Sequence, residues 1–366
     1  MISDNIVEPL LMWYDRNKRI LPWRESRDPY RIWVSEIMLQ QTRVEAVKPY
    51  FDRFVSQLPD VKSLAEAEQT HLLKLWEGLG YYNRVKNMQK AARMIMDLYE
   101  GCMPDEYELL LKLPGIGTYT AGAVASIAFN RQTVAVDGNV LRIITRLTAD
   151  DGDVLSEKFK QDIRRQLLQV IPKERPGDFN QAMMELGATV CLPNGAPRCT
   201  FCPWHDICMA RLQGRVGEIP FKKKRSSRCI EKKTVLLIQD GDKTLIHQRP
   251  EKGLLAGMYE FPMAEGWLSK KQVMESVIGM GYRPLYAGKV EDSVHIFSHK
   301  EWHMQGWLIK VEESGFSSEC FGELPLQADY YMEDAKTIQS DYPIPSAFRA
   351  YTKYVNVTLG NEVFLM

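Results

Sequence analysis

Up to about residue 217 the apolar residues recur three and four positions apart, as in Leu72, Leu75, Trp76 and Leu79. This spacing lines one face of an α-helix. Helix starts are marked as well: at Asp28-Pro29 a side-chain acceptor for the free N–H groups of a first turn precedes a residue whose fixed φ suits that turn. The pattern predicts an all-α region over 1–217. It then stops, and Pro220-Phe221-Lys222-Lys223-Lys224-Arg225-Ser226-Ser227-Arg228 is basic and aperiodic, so an interdomain linker is expected over 218–232. From 233 the pattern is that of strands. Thr234-Val235-Leu236-Leu237-Ile238 and Lys243-Thr244-Leu245-Ile246-His247 flank an Asp240-Gly241 turn, and 293–297 and 301–311 flank Ser298-His299-Lys300. With a helix expected over 270–278, the region 233–366 reads as a second, α+β domain.

The length of 366 residues agrees with more than one domain, and 45% hydrophobic with 26% charged residues is a globular composition. The 47 basic and 47 acidic residues cancel, so any nucleic-acid binding has to come from a local basic face. Met1-Ile2-Ser3-Asp4-Asn5 does not open an export signal, and no window reaches the ~18 apolar residues of a membrane span, so a cytoplasmic protein is expected. Four of the seven cysteines crowd into 191–208, which suits metal ligation in a reducing compartment better than disulfides. Cys102, Cys229 and Cys320 read as small buried hydrophobes.

Four features carry chemistry. Cys191, Cys199, Cys202 and Cys208 offer four thiolates from one loop; the spacing favours an iron–sulfur cluster, with a structural zinc as the alternative. Leu113-Pro114-Gly115-Ile116-Gly117-Thr118-Tyr119-Thr120-Ala121 reads as a helix–hairpin–helix, in which Gly115 and Gly117 let backbone N–H groups approach a phosphate and the next helix N-terminus adds a favourable dipole. Glu36 has Ile32, Trp33, Leu39 and Gln40 as helical neighbours, and a carboxyl among apolar groups tends to hold its proton as a general acid must. Asp137, in Val136-Asp137-Gly138-Asn139-Val140, stands at a polar turn before a helix, where a side chain can cap the helix or serve a reaction. Gly78-Leu79-Gly80-Tyr81-Tyr82 lacks the third glycine of a dinucleotide fingerprint and reads as a loop offering aromatic rings for stacking.

Together the hairpin, the following Asp and the four-cysteine loop resemble the helix–hairpin–helix DNA glycosylases of the endonuclease III superfamily over about 8–215. Leu21-Pro22-Trp23-Arg24, the run from Val34 to Val44, the Gly78–Tyr82 loop and Val136–Val140 resemble the adenine-specific members, which remove adenine paired with 8-oxoguanine. The resemblance implies a six-helix barrel-like core over about 22–130, and a part built from 1–21 and 131–217 that carries a 4Fe-4S cluster. It also implies catalytic roles for Glu36, Asp137, Tyr119 and Asn139, an adenine pocket with Arg24, Leu39 and Gln181, and DNA contacts at Gln41, Thr42, Tyr81, Gly115 and Gly117. Tyr119 stands where strand-cleaving relatives carry a lysine nucleophile, which implies a monofunctional glycosylase that leaves an abasic site.

The second domain resembles the Nudix-like domain appended to these glycosylases. Gly253-Leu254-Leu255-Ala256-Gly257-Met258-Tyr259-Glu260-Phe261-Pro262 leads toward a Nudix box, yet only Glu265 and Glu275 occur between Ala264 and Gly279, so a reader without hydrolase activity is implied. Phe297, Ser298 and His299 match the turn that contacts 8-oxoguanine in the family. The sequence departs from the family in two places: seven residues separate Cys191 from Cys199 where six are usual, and Gln181 replaces a frequent Glu, with an amide still able to hydrogen-bond an adenine edge. The expected partner is duplex DNA with adenine opposite 8-oxoguanine or guanine. A monomer associated with the nucleoid is expected.

Overall fold

A computed structural model describes residues 2–223, 228–312 and 330–359. The helical half contains α1 (Val7–Asn17), α2 (Pro29–Leu39), α3 (Val44–Gln57), α4 (Val61–Glu66), α5 (Gln69–Leu75), α6 (Asn83–Tyr99), α7 (Tyr107–Leu110), α8 (Thr118–Phe129), α9 (Gly138–Thr148), α10 (Glu157–Val170), α11 (Pro176–Thr189) and α12 (Met209–Leu212). Polar caps start several of them. Asp60 and Ser63 form a reciprocal capping box on α4, and Ser156 accepts from Phe159 N–H at the start of α10, which satisfies donors that a first turn leaves unpaired.

The chain divides into two units, one of Met1–Ala67 with Asn83–Arg225 and the other of Glu68–Tyr82 with Ser226–Met366. In the first, α1 joins α9, α10 and α11 in a single apolar core: Leu10, Tyr14, Ile144, Leu167, Phe179 and Trp204 are all buried in it. The Trp204 indole N–H reaches back to the carbonyl of Ile6 at 2.9 Å. No helix among the described residues is long and apolar enough to cross a membrane.

In the second unit β1 (Cys229–Asp240), β2 (Lys243–Gln248), β3 (Tyr259–Glu260), β4 (Met263–Glu265), β5 (Pro284–Ile296), β6 (Lys300–Val311) and β7 (Tyr330–Asp334) form one sheet. The order is β3-β2-β1-β6-β5, with β4 on β1 and β7 on β2. Both expected hairpins are present: β1 pairs antiparallel with β2, and β5 with β6. The central pairing of β1 with β6 is parallel. Alternate residues of a strand point to opposite faces, and both faces of β1 are covered. Val235 and Leu237 enter a core with Phe261, Trp302 and Phe348, whereas Leu236 and Ile238 enter another with Val273, Val277 and Ile309. Val273 and Val277 belong to α13 (Lys270–Gly279), and α14 (Ala335–Asp341) and α15 (Arg349–Thr352) supply Ile338 and Tyr351 to the first of these cores.

Three expectations need correction. The linker expected over 218–232 is shorter at both ends: Ile219 is buried, its carbonyl accepting from Arg146 Nε at 2.7 Å, and β1 begins at Cys229. Residues 68–82 belong with the second unit and not with the rest of 1–217, because backbone groups near Tyr342 pair with Lys74 and Glu77. Cys102 and Cys229 are exposed, one in the loop after α6 and the other at the open start of β1; Cys320 lies outside the described residues.

Candidate active site

Capping puts Glu36 in place. The Asp28 carboxylate accepts from the backbone N–H of Tyr30 at 2.8 Å and of Arg31 at 3.4 Å, and Pro29 occupies the first turn of α2. From Ile32 to Met38 every residue of α2 is buried, so Glu36, 6% exposed, is a carboxyl inside the protein. From α8 the Tyr119 hydroxyl donates to Glu36 Oε2 at 2.6 Å. Burial pushes the Glu36 carboxyl up to about 7; the Tyr119 hydrogen bond works against that rise, the charge of Asp137 adds to it and Arg24 subtracts from it. Tyr119 stays a neutral donor, since burial and the carboxylates hold its hydroxyl well above the ordinary range.

Asp137 is held differently. It caps α9, with Oδ1 accepting from Val140 N–H at 2.8 Å and Oδ2 from Asn139 Nδ2 at 2.7 Å. Burial raises this carboxyl too, but these amide donors and Arg142 favour its ionised form. The site therefore contains two buried carboxyls, both raised by burial, in contrasting surroundings: Glu36 has one side-chain hydroxyl as donor, whereas amide donors and Arg142 offset part of the rise at Asp137.

Farther along α9, Arg142 donates from Nη2 to Asn139 Oδ1 at 2.9 Å and to the Gly187 carbonyl at 2.7 Å, and from Nε to the Cys191 carbonyl at 2.9 Å. One turn later Arg146 Nη1 donates to Cys191 Sγ at 3.3 Å and to the Leu192 carbonyl at 2.9 Å. The helix that carries Asp137 at its start thus braces the cysteine loop along its length. Cys191, Cys199, Cys202 and Cys208 line one cavity of ≈ 30 Å³. Burial pushes the Cys202 thiol up to about 12 and raises that of Cys208, so four thiolates gathered here need a positively charged centre to balance them. Among the described residues no group of three His, Cys, Asp or Glu side chains is gathered as a single-ion site. Four cysteines lining one cavity are an all-sulfur donor set, of the kind that holds an iron–sulfur cluster.

A second cavity, of ≈ 570 Å³, is lined by Trp23, Arg24 and Gln181 among others. Arg24 is fixed there by Glu185, whose Oε2 accepts from its Nη2 at 2.8 Å while Oε1 accepts from Arg19 Nε at 2.5 Å. The Glu185 side chain is fully buried, and the two guanidiniums hold it below the usual carboxylate range despite that burial. Leu39 is half-buried at the end of α2 and is not among the residues lining this cavity.

The hairpin between α7 and α8 requires glycine at Gly115, where φ is +78° and a Cβ would meet the Asn87 side chain at 2.7 Å; Gly117 precedes α8 with φ −92° and open space around it. Gln41 is exposed with φ +60°, and Thr42 Oγ1 donates to the Gln40 carbonyl at 3.4 Å. Arg84 draws this turn together by donating from Nη1 to the carbonyls of Ile37, Met38 and Gln40 at 2.7–3.0 Å. Tyr81, half-exposed, and the tip Phe297-Ser298-His299 both lie in the second unit, with Ser298 Oγ 3.5 Å from the Tyr81 hydroxyl. Ser298 and His299 are exposed, and Phe297 packs edge to face on Trp302. Glu265 and Glu275 pair with Lys233 and Lys271.

Sequence reasoning missed Arg142, Arg146 and Glu185. A trace of the first two was present: two arginines four apart within the mostly apolar Val140–Leu147 stretch are expensive to bury without partners.

Comparison with known proteins identifies the family of both parts of the chain. Residues 34–173 match the HhH-GPD superfamily of base excision DNA repair proteins, and 234–354 match the NUDIX domain. An adenine DNA glycosylase of Mus musculus is 35% identical over 84% of this chain and 71% of its own length. One from Buchnera aphidicola is 31% identical over 94% and 97%. Among solved structures, a thermostable thymine-DNA glycosylase superposes with a TM-score of 0.53 and 27% identity over 57% of this chain and 96% of its own. A helical glycosylase fold, a Nudix-like sheet and similarity that runs across both place the chain in the adenine DNA glycosylase family, enzymes of base excision repair that hydrolyse N-glycosidic bonds.

Proposed function

We propose that the enzyme flips adenine out of a duplex in which it faces 8-oxoguanine or guanine and hydrolyses its glycosidic bond, leaving an abasic site. The observation that carries this reading is the buried Glu36, pushed up to about 7 and hydrogen-bonded by Tyr119, in the same site as Asp137, whose two oxygens accept from amide donors. Glu36 gives its proton to the adenine ring as the C–N bond breaks and the bonding pair leaves with the base. Asp137 offsets the positive charge that grows on the deoxyribose. Water adds at the sugar carbon, and its proton returns to Glu36. Asn139 and Tyr119 orient the two carboxyls. The absence of an amine at position 119 supports hydrolysis without strand cleavage.

Trp23, Arg24 and Gln181 receive the base, with Leu39 nearby. Gly115, Gly117 and Thr42 serve the phosphate backbone, Gln41 and Tyr81 enter the base stack, and Phe297, Ser298 and His299 read 8-oxoguanine. Cys191, Cys199, Cys202 and Cys208 hold a 4Fe-4S cluster whose contribution is to fix the loop that contains them. The enzyme works as a monomer on chromosomal DNA. The test is to incubate pure protein with a duplex holding one adenine opposite 8-oxoguanine and to follow free adenine and intact abasic strand. No adenine release from protein with full visible absorbance overturns the reading.

A further inference from the structure

The Glu68–Tyr82 segment lies in the helical half of the sequence but in the second unit of the structure, and a buried carboxylate helps to hold it there. Glu77 is 3% exposed. Its Oε1 accepts from the Ile344 backbone N–H at 2.7 Å, its Oε2 lies 3.0 Å from Lys74 Nζ, and that ammonium donates to the Tyr342 carbonyl at 3.1 Å. One ion pair thus grips both a donor and an acceptor of the backbone at 342–344. The Pro343 carbonyl in turn accepts from Tyr259 N–H at 3.0 Å, which ties this backbone to β3.

From there the packing leads to the tip of the β5–β6 hairpin. Ile344 is buried in the same core as Trp302, and Trp302 meets Phe297 edge to face at 4.9 Å between centroids. At the other end of the segment, Gly78 and Gly80 take φ of +97° and +68° and turn the chain so that Tyr81 is half-exposed, its hydroxyl 3.5 Å from Ser298 Oγ. Tyr81 therefore follows Glu77 by four residues in the chain and meets the tip at Ser298.

We propose that Glu77 is a positioning residue for substrate discrimination: it fixes the Tyr81 loop in register with Phe297-Ser298-His299, so that reading the base opposite adenine and wedging the stack occur as one event. This rests on the roles given above to Tyr81 and to the tip. A buried ion pair is a poor source of stability, because desolvation consumes most of the attraction, whereas its directional hydrogen bonds suit it to setting a register. An apolar contact would hold the segment without fixing its position along the chain.

The experiment compares single-turnover adenine release by full-length enzyme from two duplexes, adenine opposite 8-oxoguanine and adenine opposite guanine. In Glu77→Ala the first rate falls about tenfold relative to the second, equivalent to about 1.4 kcal/mol of lost coupling. Glu77→Gln, which keeps an acceptor for the Ile344 N–H, recovers most of the discrimination. Lys74→Met leaves the Glu77–Ile344 bond in place and shows the same selective loss at smaller size, which keeps the test available should Glu77→Ala fold poorly. Equal losses on both duplexes, or none on either, overturn the proposal. A wild type that treats the two duplexes alike overturns the reading of the tip as well, whereas a discriminating wild type with an equally discriminating Glu77→Ala overturns this inference alone.

Discussion

Replacing Tyr119 by Phe removes one hydroxyl and tests the proposed acid directly. On the proposed mechanism Glu36 has to be protonated to act, and with its carboxyl at about 7 the active fraction falls roughly tenfold for each pH unit above that value. The Tyr119 hydrogen bond stabilises the charged carboxylate and so pulls the group down. Without it, burial acts unopposed by that donor. Hydrogen bonds to charged groups are worth ~1.5–3 kcal/mol and one pH unit corresponds to ~1.4 kcal/mol, so the descending limb should move up by about one pH unit or somewhat more. The rate at the plateau should fall, since Glu36 loses the group that orients it. The assay is single-turnover adenine release between pH 5.5 and about 9.5, with a buffer series at constant ionic strength. A limb that stays in place, or one that moves down, would refute the assignment of Glu36 as an acid tuned by burial against Tyr119.

Other substitutions follow from the same geometry. Arg142→Met leaves the carbonyls of Cys191 and Gly187 and the Asn139 amide without their guanidinium partner; adenine release should fall by about 10–100-fold, as expected for ~1.5–3 kcal/mol of lost charged hydrogen bonding, and amide exchange near Cys191 should quicken. Glu185→Gln leaves Arg19 and Arg24 without their buried anion and should cost about 3 kcal/mol in denaturant unfolding, together with weaker adenine binding. Cys202→Ser should lower iron content and visible absorbance and lower the melting temperature of the helical unit, a result checked by metal analysis and calorimetry.

What the sequence made legible was local. The Asp28 cap, the Gly115 turn, the strand pairs around Gly241 and Ser298, and the apolar surroundings of Glu36 each depend on neighbours within a few positions. The parallel pairing of β1 with β6 joins strands separated by four further strands and a helix, and nothing in either strand's alternation specifies that partner. Glu185 and Glu77 were equally hidden, and Arg142 showed only as one of two arginines in a mostly apolar stretch. Each is an ordinary charged residue until folding removes its water and brings a distant backbone group or counter-ion to compensate it.

The burial of α2 from Ile32 to Met38 has an effect that reaches beyond packing. Burial is the largest cause of the rise at Glu36, so the surrounding apolar side chains would set the strength of the proposed acid without supplying any reacting group themselves. A cavity opened beside Ile32 or Trp33 that admitted a single water molecule would stabilise the carboxylate and lower the working pH of the enzyme. Substitutions of that kind would pass for simple core damage in a stability screen, while their larger effect would be on the proton available for each turnover.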